Sequence, residues 1–183
     1  MKAKLLILGS LIVNSLYSQD LDLIIKKLEK IEKENLELRN KVMPTVQEYG
    51  FKSPQMDSLD REIQYFDSVS LQIVTQIIDQ YGWLGVKEIG EAGNRTLFLA
   101  IQHASDNSVR KKYFPLLEES AKNGDSYLSH MATMKDRMLV QDGKLQIYGT
   151  QSKMVDGELK PFPIENPENV NSRRKSVGLS ELE

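Results

Sequence analysis

No cysteine occurs among the 183 residues. Disulfides, a thiolate nucleophile and cysteine-ligated metal are therefore excluded, as is a lipid attached at a processed amino-terminal cysteine. A fold without cross-links rests on its core, which a domain of this size forms by burying roughly 70% of its unfolded surface. An excess of one charge is also lacking: 24 Lys and Arg stand against 26 Asp and Glu, a net charge of -2. Without a positive field there is no counterion release from a phosphate backbone, and nucleic acid is not an expected partner. Glycine-rich phosphate loops, His-Glu-x-x-His pairs, nucleophile elbows and Ser-x-x-Lys arrangements are missing too, so familiar hydrolase and transferase templates do not apply. What is there, 40% hydrophobic and 27% charged residues, belongs to an ordinary globular protein.

Residues 1–18 combine a basic start at Lys2 and Lys4, an apolar run over residues 5–16, and a small residue, Ser18, before Gln19. This is the layout of a secretory signal peptide. A membrane anchor needs about 20 apolar residues, and this run stops short. Cleavage after Ser18 leaves 165 residues and takes the charge to -4 by removing Lys2 and Lys4. The expected location is periplasmic or extracellular, without stable membrane insertion of the mature chain. The expected organisation is a leader (residues 1–18), an amphipathic helix and connector (19–55) and one globular domain (56–183).

Leu21, Ile24, Leu28, Ile31, Asn35, Leu38 and Val42 recur in steps of three and four. That spacing fits a coiled-coil seam with Asn35 fixing the register, and hence weak self-association through residues 21–42. Ile25 and Leu36 widen the stripe, which favours a helix lying on its own domain. Pro44, Gly50 and Pro54 mark a connector, and helical spacing resumes from Leu59 to Ile78, with Gly82 as a left-handed cap. Gly85, Gly90 and Gly93 read as a turn, and the apolar residues 96–101 belong inside. Asp106 or Asn107 caps a helix in which Pro115 belongs to the first turn or makes a kink. Asn123-Gly124 ends it and Asp125 or Ser126 starts the next, with Leu128, Met131, Met134 and Met138 on its apolar face. Two Asp-Gly pairs, Asp142-Gly143 and Asp156-Gly157, then predict a meander of two or three strands over residues 138–141, 144 to 150 or 155, and 158–162. Pro161 and Pro163 confine its last strand to an edge. Asn166-Pro167 opens, and Gly178 closes, a short terminal helix. The fold class is thus α+β, mainly α-helical and bundle-like, with a small C-terminal antiparallel meander.

The strings Tyr81-Gly82-Trp83, Gln102-His103-Ala104, Asp136-Arg137, Gln146 with Tyr148-Gly149-Thr150-Gln151, Pro163-Ile164-Glu165-Asn166-Pro167, Arg173-Arg174 and Gly178-Leu179 follow one another in order. Together they resemble the bacterial domain of unknown function family 6624, from about Asp67 to Leu182. The family is uncharacterised, so the resemblance implies a fold and no activity.

His103 ends an apolar helix, where the helix dipole favours a cation, and is the candidate catalytic base. Asp106 is near enough in sequence to orient its ring, but two ligands with a remote His130 do not make a metal site. No metal or cofactor is expected. A histidine bonded to a nearby carbonyl is the commoner case. Arg137, beside Asp136, has the planar fork that clamps carboxylate or phosphate, or else pairs with Glu165 or Glu168 to fasten the hairpin. Tyr148, Thr150 and Gln151 surround a glycine, where a bulge or close backbone approach makes a binding edge. Arg173 and Arg174 form a basic spot. Gln102, Asp136, Arg137, Tyr148, Thr150, Gln151, Arg173 and Arg174 are thus the candidate binding residues. The leading expectation is an exported binding module of the cell envelope that takes a small ligand or envelope component in a polar cleft around His103 and residues 148–151. A metal-free hydrolase using His103, and an interaction protein assembled through residues 21–42, are the alternatives.

Overall fold

The computed structural model describes residues 2–155 and 158–182, with side chains from residue 19 onward. The leader's side chains and the Asp156-Gly157 turn lie outside the described residues. Six helices, a two-stranded antiparallel sheet and a short terminal helix make the chain α+β and mainly α-helical. In order they are α1 (Lys2–Arg39), α2 (Val42–Tyr49), α3 (Pro54–Tyr81), α4 (Val86–Gln102), α5 (Asn107–Lys122), α6 (Leu128–Gln141), β1 (Ser152–Val155), β2 (Glu158–Pro161) and α7 (Val170–Ser176). A 3-10 turn, Pro167–Asn169, leads into α7. No helix among the described residues is long and apolar enough to cross a membrane.

Contacts divide the chain into two compact units, one of residues 1–66 and 86–96, the other of residues 67–85 and 97–183. In the first, Ile24, Leu28, Ile31 and Leu38 of the α1 stripe are buried, whereas Leu23 and Leu36 remain more than half exposed. Leu38 packs with Met56, Leu59 and Ile63, flanked by Val42, Val46 and Phe66. The heptad-like spacing therefore marks a buried stripe, whose last member, Leu38, packs inside this unit. The expected connector is largely helix, because Pro44 falls in the first turn of α2, where a missing amide costs nothing. Ser53 then starts α3: its Oγ accepts the Met56 amide at 3.1 Å and donates to the Gly50 carbonyl at 2.9 Å.

The turn expected at Gly85, Gly90 and Gly93 is also corrected. Gly90, at φ 71° and ψ 171°, breaks α4 into two helical pieces, and Gly93 is packed inside the second against Ile89. Residues 96–101 are mostly buried, as their composition demands.

In the second unit, Asp106 caps α5 through the Ser108 amide at 2.8 Å. Pro115 lies inside α5 rather than in its first turn. α6 starts at Leu128, later than expected, because the Ser126 hydroxyl bonds to Ser120 Oγ at 2.7 Å and the cap position falls to Tyr127. Met131, Met134 and Met138 are core, while Leu128 is exposed. The expected strand at residues 138–141 is the last turn of α6. Gly143, at φ 72°, serves as its left-handed terminus, a conformation that Asp-Gly supplies to helix ends as readily as to hairpins. The meander reduces to one hairpin, β1 paired with β2 from Ser152↔Pro161 to Val155↔Glu158, plus a lone parallel bridge between Gln146 and Ile164. Residues 147–150 form a loop, and what holds that loop defines the polar centre of the unit.

Candidate functional site

Asp136 sits on the buried face of α6, between Met134 and Met138, and its side chain is fully buried. A carboxylate there must be hydrogen-bonded, and the 147–150 loop supplies the donors. Oδ1 accepts the amides of Ile147 at 2.7 Å and Tyr148 at 3.1 Å. Oδ2 accepts the Tyr148 amide at 3.1 Å, and the Thr150 amide and hydroxyl at 3.0 Å each. Gly149 permits this convergence: at φ 68° it turns the chain so that the amides on either side face one carboxylate.

The loop carbonyls are met by cations. Arg173 Nε donates to the Ile147 carbonyl at 2.8 Å. Arg174 Nη1 donates to the carbonyls of Tyr148 at 2.6 Å and Gly149 at 3.3 Å. Arg173 also holds the carbonyls of Glu165 and Asn166, and Arg174 that of Ser180. Gln146, fully buried, closes the ring by donating to the carbonyls of Gln151 and Phe162 and accepting the Gln151 amide. Peptide groups are thus clamped between a carboxylate and two guanidiniums, each bond to a charged group being worth about 1.5–3 kcal/mol. Through these bonds Asp136, Arg173 and Arg174, together with the Thr150 hydroxyl, hold the loop in place. Glu165 enters this fastening through its backbone carbonyl and the Arg173 side chain, not as a carboxylate paired with Arg137.

His103 is half-buried just beyond α4, its amide donating to the Leu99 carbonyl at 2.9 Å. A cation does serve this helix end, and it is Arg110, which the sequence reading missed. Arg110 is fully buried, with Nη1 on the carbonyls of Gln102 and Ala104. Its Nε reaches Asn107 Oδ1 at 3.1 Å and its Nη2 reaches Gln141 Oε1. The signal was present, since Arg110 falls on the stripe it shares with Tyr113, Phe114, Leu117 and Ala121. Burial, then the nearby Arg137 charge, pulls the Arg110 pKa below its ordinary value, with Asp106 opposing. Asp106 engages Ser108 through both oxygens, and that pairing holds its carboxyl below the usual range.

Half-buried Arg137 donates from Nη1 to Gln151 Oε1 at 3.4 Å, and Gln151 Nε2 donates to Thr150 Oγ1 at 3.0 Å. Two polar groupings result: Arg110 ties the Gln102–Ala104 turn to Asn107 and Gln141, and Arg137 meets Gln151 and, through it, Thr150. Half-buried Tyr148 has its phenol pKa raised, first by burial and then by Asp136 and Glu118, against Arg173, so it is neutral at physiological pH. His130 is stacked on Phe98 with centroids 4.2 Å apart and edge-on to Tyr127. No group of three potential metal ligands occurs among the described residues.

One family model spans most of the chain, from residue 30 to residue 183. The protein belongs to a family of unknown function, DUF6624. No curated protein and no solved structure matches the chain. In this DUF6624 member several of the C-terminal strings that carried the resemblance are tied together physically. Asp136, Gln146, Tyr148-Gly149-Thr150, Pro163, Glu165-Asn166 and Arg173-Arg174 share one hydrogen-bonded fastening.

Proposed function

We propose that this DUF6624 chain is an exported binding module of the cell envelope, which takes its ligand in a polar cleft around His103 and residues 148–151. The observation that carries the reading is the hydrogen bond from Arg137 Nη1 to Gln151 Oε1, at 3.4 Å, which joins half-buried polar side chains of α6 and of the chain just beyond the clamped loop. The fastening supports it as well: a loop clamped on both sides presents half-buried polar side chains with little conformational entropy left to lose, which is what preorganised recognition needs. Export rests on the basic start, the apolar run and Ser18.

The test uses purified mature protein and its His103→Gln, Tyr148→Phe and Gln151→Ala variants, with soluble peptidoglycan fragments and lipid vesicles as probes in equilibrium binding. Binding by the parent that weakens in folded variants is the expected result. Equal binding by all four proteins, or none by the parent, would remove the reading. Mass spectrometry of protein secreted from the full-length gene should find Gln19 as the first residue, and a retained leader would overturn export.

A further inference from the structure

We propose that α7 and the Gly149 loop form a docking surface for an extended peptide, filled here by the chain's own residues 180–182, and that a partner segment with leucine two residues after an Arg174-bound carbonyl can take their place. The inference goes beyond the cleft reading above, since neither His103 nor Gln151 takes part. On α7, Asn171 reads main chain: its Nδ2 donates to the Leu182 carbonyl at 3.2 Å and its Oδ1 accepts the Leu182 amide at 2.9 Å. Three residues on, and so on the same helix face, Arg174 donates from Nε to the Ser180 carbonyl. Its Nη1 holds the Tyr148 and Gly149 carbonyls. One guanidinium thus serves both the loop and the segment docked beside it.

These contacts address peptide groups, so they accept any residue other than proline at the position of Leu182. Side-chain choice comes from one seat. Leu182 Cδ1 lies 2.8 Å, and Ile164 Cδ1 2.9 Å, from the point where a Cβ on Gly149 would stand, so the side chain that Gly149 lacks leaves the room that leucine occupies. Ser180 and Glu181 are exposed, whereas Leu182 is half-buried. Main-chain bonds for affinity with a pocket for one side chain is the way proteins take extended peptides. Residues 179–182 belong to no helix or strand. Ordering these few residues costs roughly what their bonds and one half-buried leucine return, which places their release among the low-energy openings of the fold. Release leaves the seat formed, because the bonds of Asp136 and of Arg174 Nη1 to the loop are separate from those to the segment.

Fluorescence polarisation of a labelled peptide, Gly-Leu-Ser-Glu-Leu-Glu, which copies residues 178–183, tests this on the full mature chain. Leu182→Asp keeps the main chain but brings a charge to the apolar seat, and so empties it. That variant should bind the peptide. The parent, whose tethered segment competes at roughly millimolar effective concentration, should bind it at least about tenfold more weakly. Adding Asn171→Ala to Leu182→Asp should weaken binding about tenfold, the loss of two main-chain bonds. A peptide with aspartate in place of its second leucine should not bind. No binding by Leu182→Asp, equal binding by the parent, or binding that Asn171→Ala leaves unchanged overturns the proposal. Should either variant not fold, unlabelled peptide at roughly 5–10 mM must shift the Leu182 methyl resonances of the parent, and unmoved resonances refute it. Failure here leaves the cleft reading to its own probes, because the two surfaces are tested with different ligands and different variants.

Discussion

Replacing Asp136 with asparagine changes little in volume but removes one charge and one acceptor from the centre of the C-terminal fastening. The retained oxygen can keep the Ile147 and Tyr148 amides that Oδ1 now holds. The new NH2 group faces the Thr150 amide and hydroxyl that Oδ2 now accepts, and only the hydroxyl can rotate to become an acceptor. One buried amide is thus left without a partner, at about 1–3 kcal/mol, and the remaining bonds lose their charge-assisted strength, at roughly 1 kcal/mol each. The expected loss is about 3–5 kcal/mol, a large fraction of the roughly 5–15 kcal/mol that holds a domain of this size. Urea unfolding should show a lower midpoint with unchanged slope. Native-state hydrogen exchange should show the amides of Ile147, Tyr148 and Thr150 losing protection before the core of α5 and α6. A loss below about 1 kcal/mol, or undiminished protection of those amides, would refute the argument that the carboxylate holds the loop.

Gly149→Ala tests the close approach at the same loop: φ is 68°, and a Cβ would stand 2.8 Å from Leu182 Cδ1 and 2.9 Å from Ile164 Cδ1. The left-handed conformation alone costs about 1–2 kcal/mol. Gly178→Ala, at φ 74° with nothing within 4 Å of the added carbon, isolates that conformational part, so Gly149→Ala should be the more destabilising in urea unfolding. Equal losses would show that Leu182 and Ile164 yield freely. Acid should weaken the second unit through three exposed carboxyls held below their ordinary 3.8: Asp79 by hydrogen bonds from Lys112 and Tyr113, Asp106 by Ser108, and Asp142 by Lys111. Because their folded pKa values are depressed, the stability they bring is complete above the unfolded value and fades as pH falls through the folded values. Urea midpoints should therefore drop below about pH 4, and Asp106→Ala and Asp142→Ala should each flatten that drop; an unchanged slope in both would contradict the assignment.

The two Asp-Gly pairs show how far local signals reach. Both tolerate positive φ, but the Met131, Met134 and Met138 stripe carries α6 up to Gln141, so the first pair terminates a helix. The second lies between strands paired in the expected antiparallel sense. Pro44 and Gly90 carry the same lesson. Read alone they signal breaks, and tertiary packing accommodates one in a first turn and the other as a joint between two helical pieces. Among the site residues, Asp136, Thr150, Arg173 and Arg174 stand out in sequence as polar strings. Only burial and partners distinguish those that build the loop from those on its half-exposed side.

The amino-acid order by itself determined the mainly helical class, the helix faces, a cap at Asp106 or Asn107 and the left-handed glycines after α3 and α7, because each depends on neighbours within a turn or two. Tertiary structure alone decided that Arg110 serves the end of α4, that Asp136 and the paired arginines grip one loop from its two sides, and that Arg137 meets Gln151. Those partners lie between six and twenty-six residues apart. A charge in sequence carries no record of which carbonyl or amide will be brought to it, and that choice is made only when the apolar faces of the helices pack and fix where each polar group is left.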